Sequence, residues 1–330
     1  MFASQELRQE LRQETVILGV SQHAQKMRDF ARRVAEISDT ILLCGETGAG
    51  KDHLAEYIHY TNCPKQNFVT VDCGTLTENL AESELFGYNK GAFTDAKESK
   101  KGLIQCAKGG ILFFNEIANM SLNIQGKFLR IVEKKGFRPV GSTTEVPINT
   151  RIIAATNINL EKAVKDGSFR HDLYQRLNVI SFNVPPLRER IEDIPTLSQH
   201  FLQIRHPLKI FSKDATMAMM NYTWPGNVRE LGSVVARAGF CALDIEKEEI
   251  GPEYIVPYLQ GKRNAPLGAN AFANMAGDGL PKLKPFLMIQ ELFYLKKVLE
   301  ETRGNISKAA KFAGISRTSF YGKIKKYSLQ

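Results

Sequence analysis

The stretch Gly45-Glu46-Thr47-Gly48-Ala49-Gly50-Lys51-Asp52 follows an apolar run, Ile41-Leu42-Leu43-Cys44, and precedes His53-Leu54-Ala55-Glu56-Tyr57-Ile58, which reads as a helix. Strand, glycine loop and helix in that order form the context of a phosphate-binding loop. The glycines let backbone N–H groups turn inward on phosphates, the helix N-terminus adds its dipole, and Lys51 brings a point charge. The competing reading, a glycine-rich turn with a chance lysine, leaves the spacing and the preceding strand unexplained. Asp52 stands where such loops usually offer a Ser or Thr hydroxyl to Mg²⁺.

Around this loop, apolar strands alternate with helical stretches from Val16 to about Pro186, the pattern of a parallel α/β sheet. The expected strands are Thr40–Cys44, Phe68–Asp72, Gly110–Phe114, Arg151–Thr156 and Val179–Val184. The third runs into Asn115-Glu116. A strand ending in acidic residues is what a second nucleotide motif needs, an Asp for Mg²⁺ and a Glu to polarise water. Here Asn115 takes the first place and only Glu116 keeps its charge. From Leu187 to about Pro257 the apolar spacing turns helical, and Gly261–Pro285, rich in Gly, Ala, Asn and Pro, reads as a linker.

The last fifty residues hold eleven lysines and arginines against three acids, so they carry nearly all of the chain's net charge of +9. They read as three helices. The first runs from Phe286 to about Thr302 and stops at Gly304. Asn305 caps a second with Ala309, Ala310 and Phe312, Gly314 makes the turn, and Ser316 caps the third. That is a helix-turn-helix signature with a basic surface, which points to double-stranded DNA. Arg317, Thr318, Ser319, Tyr321 and Lys323 are expected at the major groove or its phosphates, and Lys325 and Lys326 at phosphate.

The bulk composition excludes other classes. Of 330 residues, 43% are hydrophobic and 24% charged, as in globular proteins. No run is long enough to span a membrane and no export signal opens the chain, so no membrane contact is expected. The five cysteines are scattered, with no Cys-x-x-Cys pair, which argues for reduced thiols in the cytoplasm. Residues 4–14 repeat Gln-Glu-Leu-Arg and read as a short helical extension.

Taken together, the motifs resemble the AAA+ domain of bacterial enhancer-binding proteins, the activators of sigma-54 RNA polymerase. The resemblance runs from about Ile17 to Ala238. Beyond the loop at Gly45–Asp52, it rests on Glu82-Ser83-Glu84-Leu85-Phe86-Gly87, Gly91-Ala92-Phe93-Thr94-Asp95-Ala96, Gly109–Glu116 and Ala154-Ala155-Thr156-Asn157. It continues through Phe169-Arg170-His171-Asp172-Leu173-Tyr174-Gln175-Arg176-Leu177, Pro185-Pro186-Leu187-Arg188-Glu189-Arg190 and Trp224-Pro225-Gly226-Asn227-Val228-Arg229-Glu230-Leu231. The C-terminal helices resemble the Fis-type domain that closes these activators.

The resemblance implies a P-loop parallel sheet flanked by helices, an all-α lid and a helix-turn-helix domain. The divisions are 1–14 for the extension, 15–186 for the α/β part, 187–257 for the lid, 258–284 for the linker and 285–330 for the DNA-binding part. The stretch ahead of the loop is too short for a receiver domain, so none is expected. ATP and Mg²⁺ are the implied ligands. Gly45, Glu46, Thr47, Gly48, Ala49, Gly50, Lys51 and Asp52 would hold them, with Thr156 and Asn157 as the first sensor and Arg229 as the second.

Glu116 would polarise water, and Asp52 and Asn115 would lie at the metal. Arg170 and Arg176 match arginine fingers that reach a neighbouring subunit's nucleotide, which implies a hexameric ring. The DNA-binding part implies dimers. Gly91, Ala92, Phe93, Thr94, Asp95 and Ala96 match the loop that touches sigma-54.

Three departures stand out. Asn115 replaces the family's Asp. Asp72 stands where the family has the Asn that restrains the catalytic Glu, so Asn and Asp have changed places between two positions expected to be close. Asp72 is a candidate to restore part of the missing carboxylate beside Mg²⁺, against the rule that a displaced carboxylate seldom meets metal geometry. Asp95 replaces a Gly and adds charge to the sigma-54 loop. They leave a second function open: a regulator that binds DNA and nucleotide but hydrolyses little and does not engage sigma-54.

Overall fold

The structure is a computed structural model that describes residues 16–35, 37–62, 66–75, 78–93, 96–242, 249–259, 294–295, 298–299, 302 and 304–326. The expected extension at 1–14, Thr94, Asp95, nearly all of the linker at 258–284 and most of the helix expected over 286–302 lie outside these residues. The described residues divide into two compact units, one drawn from residues 1–208 and 220–237 and the other from residues 209–219 and 238–330.

The first unit is built on a five-stranded sheet. Its strands are β1 (Ile41–Cys44), β2 (Phe68–Asp72), β3 (Ile111–Asn115), β4 (Arg151–Thr156) and β5 (Ile180–Asn183). The spatial order is β2-β3-β4-β1-β5 and every pairing is parallel. All five carboxyl ends therefore face the same edge, where ligands of open α/β sheets sit.

The three central strands, β3, β4 and β1, read as near-continuous apolar runs because both faces are covered, while the edge strands β2 and β5 are partly exposed. Alternate residues split between two cores. Leu42, Leu112, Phe114 and Ala154 pack with Leu85, Ile124, Phe128 and Ile131. Ile41, Leu43, Ile111, Phe113, Ile153 and Ala155 pack with Met27, Phe30, Leu54 and Ile58 on the other face.

The helices that matter for the site are α1 (Gln22–Arg33), α2 (Lys51–Asn62), α3 (Leu122–Lys134), α4 (His171–Leu177), α5 (Ile194–Gln203) and α6 (Asn227–Cys241). Ser21 caps α1 by accepting from the Ala24 amide at 3.0 Å. The same Ser21 donates its hydroxyl to Asp193, a fully buried carboxylate, at 2.7 Å. That bond ties the start of the fold to the segment leading into α5.

The second unit holds the C-terminal helices α7 (Ile306–Phe312) and α8 (Arg317–Lys326). Asn305 caps α7 through the Lys308 amide at 3.1 Å, and Ser316 caps α8 through the Ser319 amide at 3.1 Å. Gly314 makes the turn between them at φ +67°, the left-handed region open to glycine. Phe320 and Ile324 of α8 pack on Ala309 and Ala310 of α7 and on Leu295 and Val298.

Candidate nucleotide site and DNA-facing helix

The loop leaving β1 has three glycines at positive φ: Gly45 at +152°, Gly48 at +74° and Gly50 at +102°. Side chains are disfavoured in such backbone, and the turn brings the loop amides round the start of α2. Lys51 is buried, with its Nζ donating to the Gly45 carbonyl at 2.9 Å and the Glu46 carbonyl at 3.2 Å. Its ammonium is 3.8 Å from Glu116. Burial pulls the Lys51 pKa down, against the pull of Glu116 and Asp52. Asp52, half-buried, has its carboxyl pushed up by burial, with Lys51, Arg229, Glu56 and Asp72 as its charged neighbours.

Glu116 follows β3 in a left-handed conformation, φ 52° and ψ 52°. A side-chain-bearing residue there is strained by about 1–3 kcal/mol and is held by its surroundings. Here the hold comes from the Asn157 amide, which donates to Oε2 at 3.1 Å. The Asn157 side chain crosses to Thr47 Oγ1 at 3.0 Å. The ends of β3 and β4 are thus bonded to each other and to the loop after β1. Thr156, expected beside Asn157 at the sensor, is fully buried, and its hydroxyl accepts from the Ile158 amide at 3.2 Å. Of the pair, Asn157 is the one bonded to the loop.

Asp72 and Asn115 lie directly opposite each other in the β2–β3 register. Asp72 Oδ1 accepts from the Gly74 amide at 2.9 Å. Among the described residues no trio of His, Cys, Asp or Glu is placed to hold a metal ion without other donors. A divalent ion fits here only with phosphate oxygens as further ligands, as is usual for Mg²⁺ in nucleotide sites.

Two contacts that the sequence motifs contain, but do not announce, close the loop, one from the turn at Leu187–Glu189 and one from the start of α6. Arg188 grips Glu46 with two nitrogens, at 2.6 and 2.8 Å. Those bonds, with one from Asn227, hold the Glu46 carboxyl down at about 2. Asn227 is fully buried at φ 53°. Its amide nitrogen donates to Glu46 and to the Thr47 carbonyl, each at 3.1 Å, and its oxygen accepts from the Leu187 amide at 2.8 Å. The next two amides, Val228 and Arg229, donate to the Gly48 carbonyl at 3.0 and 3.3 Å. The first turn of α6 thus spends its otherwise unpaired donors on the loop, which puts Arg229 within charge range of Lys51 and Asp52.

Arg170 and Arg176 are away from these bonds, both exposed at α4. Arg170 makes a two-point pair with Asp172 at 2.7 and 3.0 Å, and Arg176 pairs with Glu133 at 3.0 Å. Among the described residues, these acids rather than the loop of the same chain are their partners. In the Gly91–Ala96 stretch, the Gly91 amide donates to the Ala96 carbonyl at 2.9 Å. Phe93, 46% exposed, stands edge-on to Tyr88 with ring centroids 4.8 Å apart. Thr94 and Asp95 are not among the described residues. On α8, Arg317, Thr318, Ser319 and Tyr321 are exposed and Lys323 is half-buried. The side chains of Lys325 and Lys326 are outside the described residues.

Among the described residues no helix is long and apolar enough to cross a membrane.

Three families match the chain: the sigma-54 interaction domain over residues 17–183, the AAA+ ATPase lid domain over 188–270, and the bacterial regulatory protein, Fis family, over 290–327. The transcriptional regulatory protein GlrR of Escherichia coli K12 is 39% identical over 311 residues, covering 92% of this chain and 66% of GlrR. The nitrogen fixation protein AnfA of Azotobacter vinelandii is 38% identical over 320 residues, covering 95% of this chain and 57% of AnfA. The chain thus spans about two thirds or less of these relatives' lengths.

Among solved structures, NtrX from Brucella abortus in complex with ADP superposes with a TM-score of 0.71 at 30% identity. The match covers 99% of this chain and 73% of NtrX. NtrX in complex with ATP gives 0.70 at the same identity. The domain order, the motif string and the all-parallel sheet agree with these matches, and the chain belongs to the family of AAA+ transcriptional regulators that carry a sigma-54 interaction domain and a Fis-type helix-turn-helix.

Proposed function

We propose that the chain binds ATP at the Gly45–Asp52 loop and uses its hydrolysis to remodel sigma-54 RNA polymerase at promoters where α8 holds it on double-stranded DNA. The observation that carries this reading is the bonded set Lys51, Glu116, Asn157 and Thr47 at the carboxyl edge of the sheet. The loop amides and Lys51 bind the phosphates. Glu116, held by Asn157, orients the attacking water and accepts its proton. Arg229 approaches the nucleotide from α6. Arg170 and Arg176 act on the nucleotide of a neighbouring copy, which makes a ring the active form.

Asp52, Asp72 and Asn115 are the groups that would hold Mg²⁺ beside the phosphates, where the ion screens their charge. Phe93 and its loop meet the sigma factor. The working divisions are 15–186, 187–257 and 285–330, with 1–14 and 258–284 as extension and linker, and the proposed location is the cytoplasm. The test is calorimetric titration with ATP and with ADP, with and without Mg²⁺, beside Lys51→Ala. Micromolar-range binding lost in the variant supports the reading. Equal binding by both chains contradicts it.

A further inference from the structure

Gln125 is polar and fully buried in α3, an otherwise amphipathic helix. Its amide joins three backbone groups from separate segments. The nitrogen donates to the Met120 carbonyl at 2.7 Å and the Ser168 carbonyl at 3.2 Å, and the oxygen accepts from the Arg170 amide at 2.8 Å. Only an amide both donates and accepts in this way. A carboxylate would lose the donors and an apolar side chain would lose everything.

What these groups belong to gives the arrangement its meaning. Met120 closes the short turn that Glu116 opens: the Asn119 amide donates to the Glu116 carbonyl at 2.9 Å and the Met120 amide to the Ile117 carbonyl at 3.2 Å. Arg170 starts α4. The residue after Gln125 is Gly126, where a Cβ would stand 3.4 Å from the Arg170 guanidinium. Two turns further along α3, Glu133 pairs with Arg176. One helix therefore begins at the Glu116 turn and contacts both exposed arginines.

We propose that Gln125 is a positioning residue that couples the state of a protomer's own nucleotide site, felt at Glu116, to the arginines that protomer offers its neighbour. This rests on the reading that Arg170 and Arg176 act on a neighbouring nucleotide. Helix α3 is the rod, and a shift of the Glu116 turn reaches the Arg170 amide through one side chain. Packed helices move as units, so a small displacement at Met120 is carried along α3 rather than absorbed.

The experiment is hydrogen exchange by mass spectrometry on the whole chain, with and without a non-hydrolysable ATP analogue and Mg²⁺, for the native chain, Gln125→Met, Gln125→Glu and Glu133→Ala. Calorimetry with the same analogue runs in parallel. In the native chain, the analogue should change exchange in peptides spanning 168–177 by about fivefold. Gln125→Met should bind the analogue within about twofold of native, protect the Gly45–Asp52 loop as native does, and show no response at 168–177. Gln125→Glu keeps the acceptor for Arg170 alone and should give a smaller response.

Glu133→Ala is a surface change that keeps the fold even if the buried variants do not. It should blunt the response around Arg176 and spare that at Arg170. A native chain that binds the analogue without responding at 168–177, or a Gln125→Met chain that responds fully, overturns the inference. A native chain that gives no heat with the analogue overturns the nucleotide reading beneath it instead.

Discussion

Gly48→Ala tests how tightly the phosphate loop is packed against α6. Gly48 sits at φ +74°, and a Cβ there would stand 2.5 Å from the Gly226 carbonyl oxygen and 3.0 Å from Arg229 Cβ. Both neighbours belong to the segment that enters α6. Gly109 supplies the control: its φ is +78°, and a Cβ there meets nothing within 4 Å. Each substitution carries the left-handed cost of an L-residue, about 1–2 kcal/mol. Gly48→Ala adds the cost of pushing backbone and side chain out of a packed site, about 1–3 kcal/mol. Gly109→Ala should therefore destabilise by about 1–2 kcal/mol and Gly48→Ala by about 2–5 kcal/mol.

The chain's single tryptophan, Trp224, is fully buried just ahead of α6 and reports on this region. Urea unfolding followed by its fluorescence, extrapolated linearly to water, gives both values. A difference between the two variants below about 0.5 kcal/mol, the scatter of ordinary surface changes, would refute the contact.

Other expectations concern charge. The Glu46 carboxyl is held at about 2, below its ordinary 4.5, mainly by Arg188 and then by Asn227. A depressed carboxyl stabilises the fold above its ordinary pKa, and that stability is lost as pH falls from 4.5 toward 2. Arg188→Ala should therefore be less stable than native at neutral pH and show a shallower loss across that window. Parallel urea-midpoint curves for the two proteins would refute it. Asp72→Asn should reduce ATP affinity with Mg²⁺ present and leave it unchanged or tighter without the ion, because Asp72 lies in register with Asn115. Equal affinities in the two chains under both conditions would show that Asp72 only caps its own turn. DNA affinity of the whole chain should fall steeply with salt, and Arg317→Ala should lessen the slope by about one. A flat salt response would remove α8 from the DNA surface.

The sheet was legible because its central strands are buried on both faces. A continuous apolar run such as Ile111–Phe114 marks itself, and the five expected strands lie within a residue or so of those observed. The loop was legible because positive φ demands glycine at fixed spacing. The caps Asn305 and Ser316 follow from the same local rules.

What escaped the sequence depends on long-range partners. Nothing local says that Glu46 meets Arg188, 142 positions away. A lone glutamine in a helix with Lys127 and Arg130 reads as surface, yet Gln125 is fully buried. Thr156 and Asn157 look equivalent as a polar pair. Only the turn after β4 shows that Thr156 bonds its own backbone while Asn157 reaches Thr47. Phe312 reads with Ala309 and Ala310 as part of one helix, but it is 64% exposed where the alanines are buried, because the core face of α7 runs through Ile306, Ala309, Ala310 and Ala313 and Phe312 lies off it.

The central claim is that ATP is hydrolysed at sites shared between copies. Its most direct test is turnover in a mixture of Lys51→Ala, which keeps its arginines but lacks the phosphate lysine, and Arg170→Ala, which keeps the site but lacks the finger. The native chain should show Mg²⁺-dependent turnover that rises more than linearly with concentration, and each variant alone should be inactive. In an equimolar mixture, an intact site meets an intact finger at about a quarter of the interfaces of a randomly mixed ring, so turnover should reappear at a corresponding fraction of native. A mixture no more active than its separate components, beside an active native chain, would contradict the account.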